Sequence, residues 1–205
     1  GNNRLLVGAP SGGSNGGHPG AAELFDVNGT DWSETAKITA IDGAPNDLFG
    51  SSVSLQSNTA LIGAPGDDDR GQVSGSAYVF DFAGTDWSHT QKLTPTDGTT
   101  GDEFGQSVSL FDERVLVGAW GHDVDGDNSG AAYMFVHNDS IWGETAKLTA
   151  NDGVPGDLFG SSVSQNRDWA LVGASGTSLT AIMRPGSAYV FFLEVLFNDG
   201  FEMQE

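Results

Sequence analysis

One loop of this sequence has the residue types and the spacing of a cation-binding site. The segment GHDVDGDNSG, residues 121–130, places Asp123, Asp125 and Asp127 in alternation. A turning backbone can aim three such carboxylates at one point, and clustered oxygen ligands are what a hard cation such as Ca²⁺ requires. We therefore predict Ca²⁺ as a cofactor, with these three aspartates as its ligands.

A second acidic loop offers a weaker version of the same site. The segment GDDDRGQVSG, residues 66–75, contributes Asp67 and Asp69. An EF-hand loop counted from the first aspartate of the better site would need Gly and an acid where this chain has Asn128 and Met134, so the match to that pattern is partial. The alternative interpretation is an acidic loop that is only solvated.

Both loops belong to a repeat whose period is 55 residues. The period is marked by three equally spaced sets of residues: Phe49, Phe104 and Phe159; Gly8, Gly63, Gly118 and Gly173; and Trp32, Trp87 and Trp142. Each copy holds four short runs rich in β-branched and aromatic residues, separated by Gly, Asn, Asp and Pro, with no helical periodicity. Four strands per repeat are typical of a propeller blade. We therefore predict an all-β fold, a β-propeller of four-stranded antiparallel blades.

About four blades are present, and two of them are incomplete. We assign blades to residues 1–42, 43–97, 98–152 and 153–192, and a C-terminal tail to residues 193–205. The first blade lacks its inner strand and the last lacks its outer strand, so the two cannot complete a single blade together. We expect part of a larger ring, or self-association through the open terminal blades.

The repeat resembles a known family at its two most regular motifs. The blade at 49–98 contains FG at its start, then GAP at 63–65, SGSAYVF, a downstream Trp and KLT. This pattern is similar to the FG-GAP repeat of integrin α-subunit propellers, and closest to the bacterial branch of secreted or surface proteins. The resemblance covers residues 1–192 and implies a propeller with an adhesive or ligand-binding role outside the cell or at its surface. Integrin-type calcium loops lie between FG and GAP, whereas the acidic loops here follow GAP, so that site cannot be carried over.

Four further repeated features receive structural interpretations. The second strand of each blade is apolar almost without alternation, as expected for a sheet covered on both faces. The lysines 37, 92 and 147 are expected to mark an exposed outer edge. The three repeated tryptophans are expected to pack between blades. Six repeated aspartates, at 42, 47, 97, 102, 152 and 157, are expected to bond to the backbone of the blade-to-blade turn.

The sequence favours binding over catalysis. The inner strands SSVSL, QSVSL and SSVSQ offer hydroxyls without a nearby His, and no nucleophile elbow or metal-binding His pair appears. We therefore predict a non-catalytic module that recognises a protein or carbohydrate ligand through loops between second and third strands, with Trp120 and His122 as weak candidates for contact. The alternative is a hydrolase or lyase whose active site is completed by residues outside this sequence.

Composition narrows the partners further. The formal net charge is −20, which disfavours nucleic acid and anionic membranes and favours cations or basic partners. There is no cysteine, and no apolar run approaches the length of a membrane helix, so we expect no membrane insertion. The tail at 193–205 carries no interpretable motif.

Overall fold

The fold is all-β, as predicted. The computed structural model describes residues 4–10, 18–138, 140–176 and 186–193, and these residues form fourteen strands in four antiparallel sheets. In the described part of the chain, no helix is long and apolar enough to cross a membrane. The other two loops between second and third strands, at 11–20 and 176–186, and the tail at 193–205 lie largely outside the described residues.

Each sheet is one blade, and the strands of a blade follow one another in chain order. The first blade holds β1 (Arg4–Ala9), β2 (Ala21–Asn28) and β3 (Asp31–Ile38). The second holds β4 (Ser52–Gln56), β5 (Thr59–Ala64), β6 (Ser76–Phe82) and β7 (Trp87–Leu93). The third holds β8 (Ser107–Phe111), β9 (Arg114–Ala119), β10 (Ala131–Asn138) and β11 (Ile141–Leu148). The fourth holds β12 (Phe159–Gln165), β13 (Trp169–Ala174) and β14 (Ser187–Phe192). Among the described residues, the predicted pattern of two four-stranded blades flanked by two blades of three strands is confirmed.

The blades pack face to face through their second and third strands. Leu61 of β5 and Val79 of β6 pack with Val115 and Val117 of β9 in the core between the second and third blades. Ile62, the next residue along β5, belongs to the core on the opposite face, against the first blade. This confirms for β5 that the second strand is covered on both faces, whereas Leu5 of β1 and Leu171 of β13, in the two terminal blades, are exposed. The four sheets do not close into a ring, since the extensive contacts of the described strands join blades consecutive in the chain.

The two glycine motifs of the repeat meet at each blade junction. A methyl group on Gly63 would overlap the carbonyl oxygen of Gly105 in the following blade, and one on Gly118 would overlap that of Gly160. The residue before the FG dipeptide is also unusual, since Leu158 takes a left-handed backbone with φ of 57°. Consecutive blades therefore approach through backbone, and the repeat needs glycine at both contacting positions.

Serines of the inner strands fasten each blade to the next. The hydroxyl of Ser52 donates to the carbonyl of Gly105 at 2.7 Å, and the hydroxyl of Ser107 donates to that of Gly160 at 2.7 Å. The hydroxyl of Ser54 accepts the amide of Leu110 at 3.0 Å. These inner-strand hydroxyls therefore serve as links between blades.

Two of the three repeated tryptophans pack against the blade that precedes them in the chain, and the third is exposed. Trp142 is 8% exposed and lies in the core between the second and third blades, and Trp87 packs against the core between the first and second. Trp32 of the first blade is 53% exposed. The prediction that this position packs between blades is confirmed for the two tryptophans that have a described blade before them.

Candidate functional site: the acidic loops and the polar clusters beneath them

The loops at 66–75 and 121–130 share one backbone design. In the first, the Asp68 carboxylate accepts the amide of Val73 at 2.7 Å, and in the second Asp123 accepts that of Asn128 at 2.6 Å. Val73 and Asn128 both adopt left-handed backbone, with φ of 56° and 55°. Asp123, predicted as a calcium ligand, therefore has a carboxylate oxygen committed to the turn of its own loop.

Each loop is also anchored to the blade that follows it. The amide of Gly101 donates to the Gln72 carbonyl at 2.9 Å, and the amide of Phe104 donates to the Ser74 carbonyl at 3.0 Å. The amide of Gly156 makes the same 2.9 Å bond to the carbonyl of Asp127 in the next copy. Because the backbone of both loops is held in this way, their exposed side chains stand on a fixed framework.

The exposed side chains differ between the two loops. Asp68 and Asp69 are exposed in the first loop, and Asp123, Asp125 and Asp127 are exposed in the second. The three aspartates of the second loop do not bring carboxylate oxygens to one point. Among the described residues, the group of acidic side chains close enough to share a cation is Asp42, Asp67 and Asp69.

A lysine already occupies the centre of that acidic group. The Nζ atom of Lys92 lies 2.8 Å from Asp42, 2.8 Å from Asp67 and 2.6 Å from Asp69. The hydroxyl of Tyr78 lies 2.8 Å from the other oxygen of Asp42. Burial alone would lower the pKa of Lys92, but the hydrogen bonds to the three carboxylates outweigh it and raise that pKa. Burial raises the pKa of Asp42, but Lys92 and Tyr78 bring it below its ordinary value.

This arrangement corrects the expectation that the repeated lysines mark an exposed edge. The side chain of Lys92 is only 15% exposed, and that of Lys147 is 27% exposed. Lys37 is exposed, as expected, and pairs with Glu23 at 3.1 Å. The interpretation failed because the partners of Lys92 come from a neighbouring turn and loop that lie far from it in sequence.

The third blade has the same cluster with a histidine in place of Asp67. The Nζ atom of Lys147 lies 2.8 Å from Asp97, whose other oxygen accepts the Tyr133 hydroxyl at 2.8 Å. Lys147 also donates to Nε2 of His122 at 2.6 Å, since an ammonium group can only donate. The Nδ1 atom of His122 lies 2.9 Å from a carboxylate oxygen of Asp102, off the line of a hydrogen bond.

The two predicted contact residues differ in their accessibility. His122 is buried, so its imidazole supports the blade junction and is not presented to a ligand, which corrects its placement as a contact residue. Trp120 is half-buried. Burial raises the pKa of Glu103, and the nearby indole of Trp120 acts in the opposite direction.

The six repeated aspartates divide into two groups. Asp47, Asp102 and Asp157 accept backbone amides three residues earlier, at 2.6, 2.7 and 3.0 Å, as predicted for the turn. Asp42, Asp97 and Asp152 instead accept a tyrosine hydroxyl of the adjoining blade, each at 2.8 Å. The second group was missed, although the lysines recur every 55 residues and tyrosines recur at 78, 133 and 189, the last one residue out of step.

Comparison with known families supports the repeat. The model of the family described as FG-GAP repeat matches residues 32–80, 87–135 and 142–191. Each match runs from the outer strand of one blade to the third strand of the next. A search of curated proteins gives no match.

Proposed function

The chain belongs to the FG-GAP repeat family, and from this premise we propose that it is a non-catalytic binding module of a β-propeller, acting at the cell surface or outside the cell. Its ligand is a protein or a glycan, held by the loops at 66–75 and 121–130. The observation that carries the proposal is that these loops share one anchored backbone while exposing different side chains. A fixed framework with variable tips is the usual design of a recognition surface.

The charge of the loop tips indicates the chemistry of the ligand. Asp68 and Asp69 are exposed on one loop, and Asp125 and Asp127 on the other, in a chain of formal charge −20. Such a surface attracts cationic groups and repels phosphates, so we propose a basic protein surface or an amine-bearing glycan as the ligand.

The non-catalytic role is supported by the way the repeat uses its polar groups. The hydroxyls of Ser52 and Ser107 donate to neighbouring backbone, and the buried His122 accepts from Lys147. These groups have structural partners, whereas a general base or a nucleophile needs an open position beside the substrate.

The test is a binding screen with a charge-matched control. Labelled protein is screened against basic proteins and amine-bearing glycans, and the best ligand is titrated against Asp125→Asn with Asp127→Asn. We expect affinity to fall about tenfold, which corresponds to about 1.4 kcal/mol. The control carries Asp31→Asn with Asp86→Asn, because these exposed aspartates lie where the outer strand begins, Asp31 as the first residue of β3 and Asp86 just before β7, at the end of the blades opposite to the two loops.

Comparing the two variants distinguishes recognition by the loops from attraction by net charge. Loss of binding in the loop variant alone supports recognition by the loops. Equal loss in both variants would mean that net charge alone attracts the ligand, and unchanged binding in both would place recognition elsewhere.

A further inference from the structure

The turn that leads into the third blade joins the two acidic loops at their bases. The amide of Glu103 donates to the carbonyl of Val73, near the end of the first loop, at 3.1 Å. The carbonyl of Asp102, the preceding residue, accepts the amide of Gly121, the first residue of the second loop, at 3.1 Å. Glu103 and Trp120, which directly precedes Gly121, therefore lie between the two loops that we propose as the recognition surface.

Both of these residues depart from the repeat. At the position of Glu103 the two neighbouring junctions have Leu48 and Leu158, and all three share a left-handed backbone, with φ of 52°, 59° and 57°. At the position of Trp120 the preceding blade has Pro65, which is buried. The other junctions therefore show that the fold needs neither a carboxylate nor an indole at these points. Local departures from an otherwise consistent pattern are expected at functional sites.

The carboxylate of Glu103 differs from those of the lysine clusters in its surroundings. Asp42 and Asp97 each pair with a lysine at 2.8 Å. Glu103 is half-buried, and the influences on its pKa are burial and the indole of Trp120, with no contribution from a lysine or arginine of the described residues. A partly desolvated carboxylate without a counter-charge destabilises the fold. A cation supplied by a ligand would remove this cost.

The indole beside this carboxylate narrows the chemistry of the cation. An indole face attracts an ammonium group and packs against an alkyl chain, and a carboxylate adds a charge-assisted hydrogen bond. Because Glu103 and Trp120 lie at the bases of the loops, the ligand must carry its charge on a stem that reaches past the loop tips. A lysine side chain has a flexible four-carbon stem that ends in an ammonium group. An amine attached directly to a sugar ring has no such stem.

We propose that Trp120 and Glu103 form the subsite of the loop surface that takes one lysine side chain of a protein ligand. The lysine stem packs along the indole, and its ammonium group donates to the Glu103 carboxylate. This inference rests on the proposed function, because it names the anchoring group of the ligand that the two loops bind. The exposed aspartates attract a basic surface, whereas this pair selects one side chain of it.

The test uses the intact chain and the end-blocked peptide Gly-Gly-Lys-Gly-Gly as the probe. We expect saturable binding with a Kd of about 1 mM, measured from the NMR signals of the lysine side chain. A matched peptide with norleucine keeps the alkyl stem and lacks the charge, so it should bind about tenfold more weakly. Glucosamine, which carries an ammonium group without a stem, should not compete with the lysine peptide.

Two protein variants restore the residues that the other blades carry, so both are expected to fold. Glu103→Leu should weaken the lysine peptide about tenfold, because it removes the charge-assisted hydrogen bond. Trp120→Pro should weaken it about threefold, because it removes the indole face. Glu113→Leu is the matched control: it removes the same charge from an exposed glutamate in the turn between β8 and β9, and it should leave the affinity unchanged.

The outcomes separate this subsite from the proposed function. The subsite is overturned if the lysine peptide shows no binding up to about 10 mM, if the norleucine peptide binds equally well, if glucosamine competes, or if Glu113→Leu has the same effect as Glu103→Leu. It is also overturned if Glu103→Leu and Trp120→Pro bind the lysine peptide as the parent chain does. Lysine binding that depends on both residues supports the subsite, even where Asp125→Asn with Asp127→Asn has no effect and the role of the loop tips fails.

Discussion

The α-carbon of Gly118 faces the carbonyl oxygen of Gly160 so closely that no side chain fits between them. Gly118 is the penultimate residue of β9, the second strand of the third blade, and Gly160 follows the phenylalanine that begins the fourth. The same pair is formed by Gly63 and Gly105 one blade earlier. Both motifs of the repeat are thus explained by one contact between consecutive blades.

Replacing Gly118 with alanine should therefore push two blades apart. We expect Gly118→Ala to lower the free energy of unfolding by about 1–3 kcal/mol, the usual effect of overpacking. Gly143→Ala is the control, because a methyl group there meets nothing within 4 Å. Chemical denaturation of both variants measures the effect, and an equal loss of stability would argue against the close contact.

The buried lysine of the second blade should be more important for stability than its exposed counterpart. Lys92→Met leaves the carboxylates of Asp42, Asp67 and Asp69 without their shared cation. We expect a loss of about 1–3 kcal/mol, against less than about 0.5 kcal/mol for Lys37→Met. Added Ca²⁺ should raise the melting temperature of the Lys92→Met variant, since the ion can occupy the position of the ammonium group. Similar losses in both variants, or no effect of Ca²⁺, would contradict this account.

The clusters should also make the fold sensitive to acid. The pKa values of Asp42 and Asp97 are lowered from an ordinary value of 3.8, as lysine and tyrosine bonds outweigh burial. A lowered folded-state pKa stabilises the fold above the ordinary value, and this stability is lost as the pH falls through 3.8 towards the folded-state pKa. We expect the melting temperature to decline below about pH 4 and the decline to be shallower in Asp97→Asn. If the melting temperature of Asp97→Asn declines as steeply as that of the parent chain, Asp97 does not contribute to the sensitivity to acid.

Calcium binding by Asp123, Asp125 and Asp127 stays a prediction. With a Kd of about 0.1–1 mM and calcium near 1 mM, binding would stabilise the fold by about 0.4–1.4 kcal/mol. The expected result is a modest rise in melting temperature that EDTA removes and that Asp125→Ala with Asp127→Ala abolishes. Calorimetric titration decides the matter, because neither heat nor a melting shift should appear if the loop is only solvated.

The open faces of the terminal blades should lead to self-association. Leu5 and Val7 of the first blade and Leu171 and Val190 of the fourth are exposed, whereas Leu61 and Leu116, at the repeat position of Leu171, are fully buried. We expect molar mass measured by light scattering to rise with concentration, and Leu171→Ser with Val190→Ser to reduce the rise.

A matched variant tests whether the terminal face is responsible. Ile41→Ser with Ile141→Ser removes exposed apolar side chains that lie away from that face. This variant should associate like the parent chain. A constant monomer mass across the concentration range would exclude self-association.

The strand positions could be predicted because the repeat displays the same pattern several times. Apolar β5 and β9 and alternating β11 follow from local residue order, and the turn bonds of Asp47 and Asp102 follow from their proximity to the turn. The lysine clusters could not be predicted in the same way. Lys92 and Asp42 are 50 residues apart, and nothing local distinguishes a lysine on an open edge from one that reaches into the next junction.

Separation along the sequence also explains the error about His122. It lies at the start of a loop whose next residues include Asp123 and Asp125, and this acidic sequence suggested a solvated loop. Its burial depends on Lys147 and Asp102, which come from a different strand and a different turn. The fold and the strand order could therefore be predicted from the periodicity of the sequence. The environment of a polar side chain could not, because it depends on how two blades pack together.

The segments that match the family do not begin and end where the blades do, and this affects how the array could gain or lose one repeat. The segment at 87–135 begins in the outer strand of the second blade and ends in the third strand of the third. Each copy holds one partner of two successive junctions, since Gly105 meets Gly63 of the preceding copy and Gly118 meets Gly160 of the following one. Inserting or removing one copy would therefore change the number of junctions by one, while the remaining junctions would be formed by the same pairs of repeat positions.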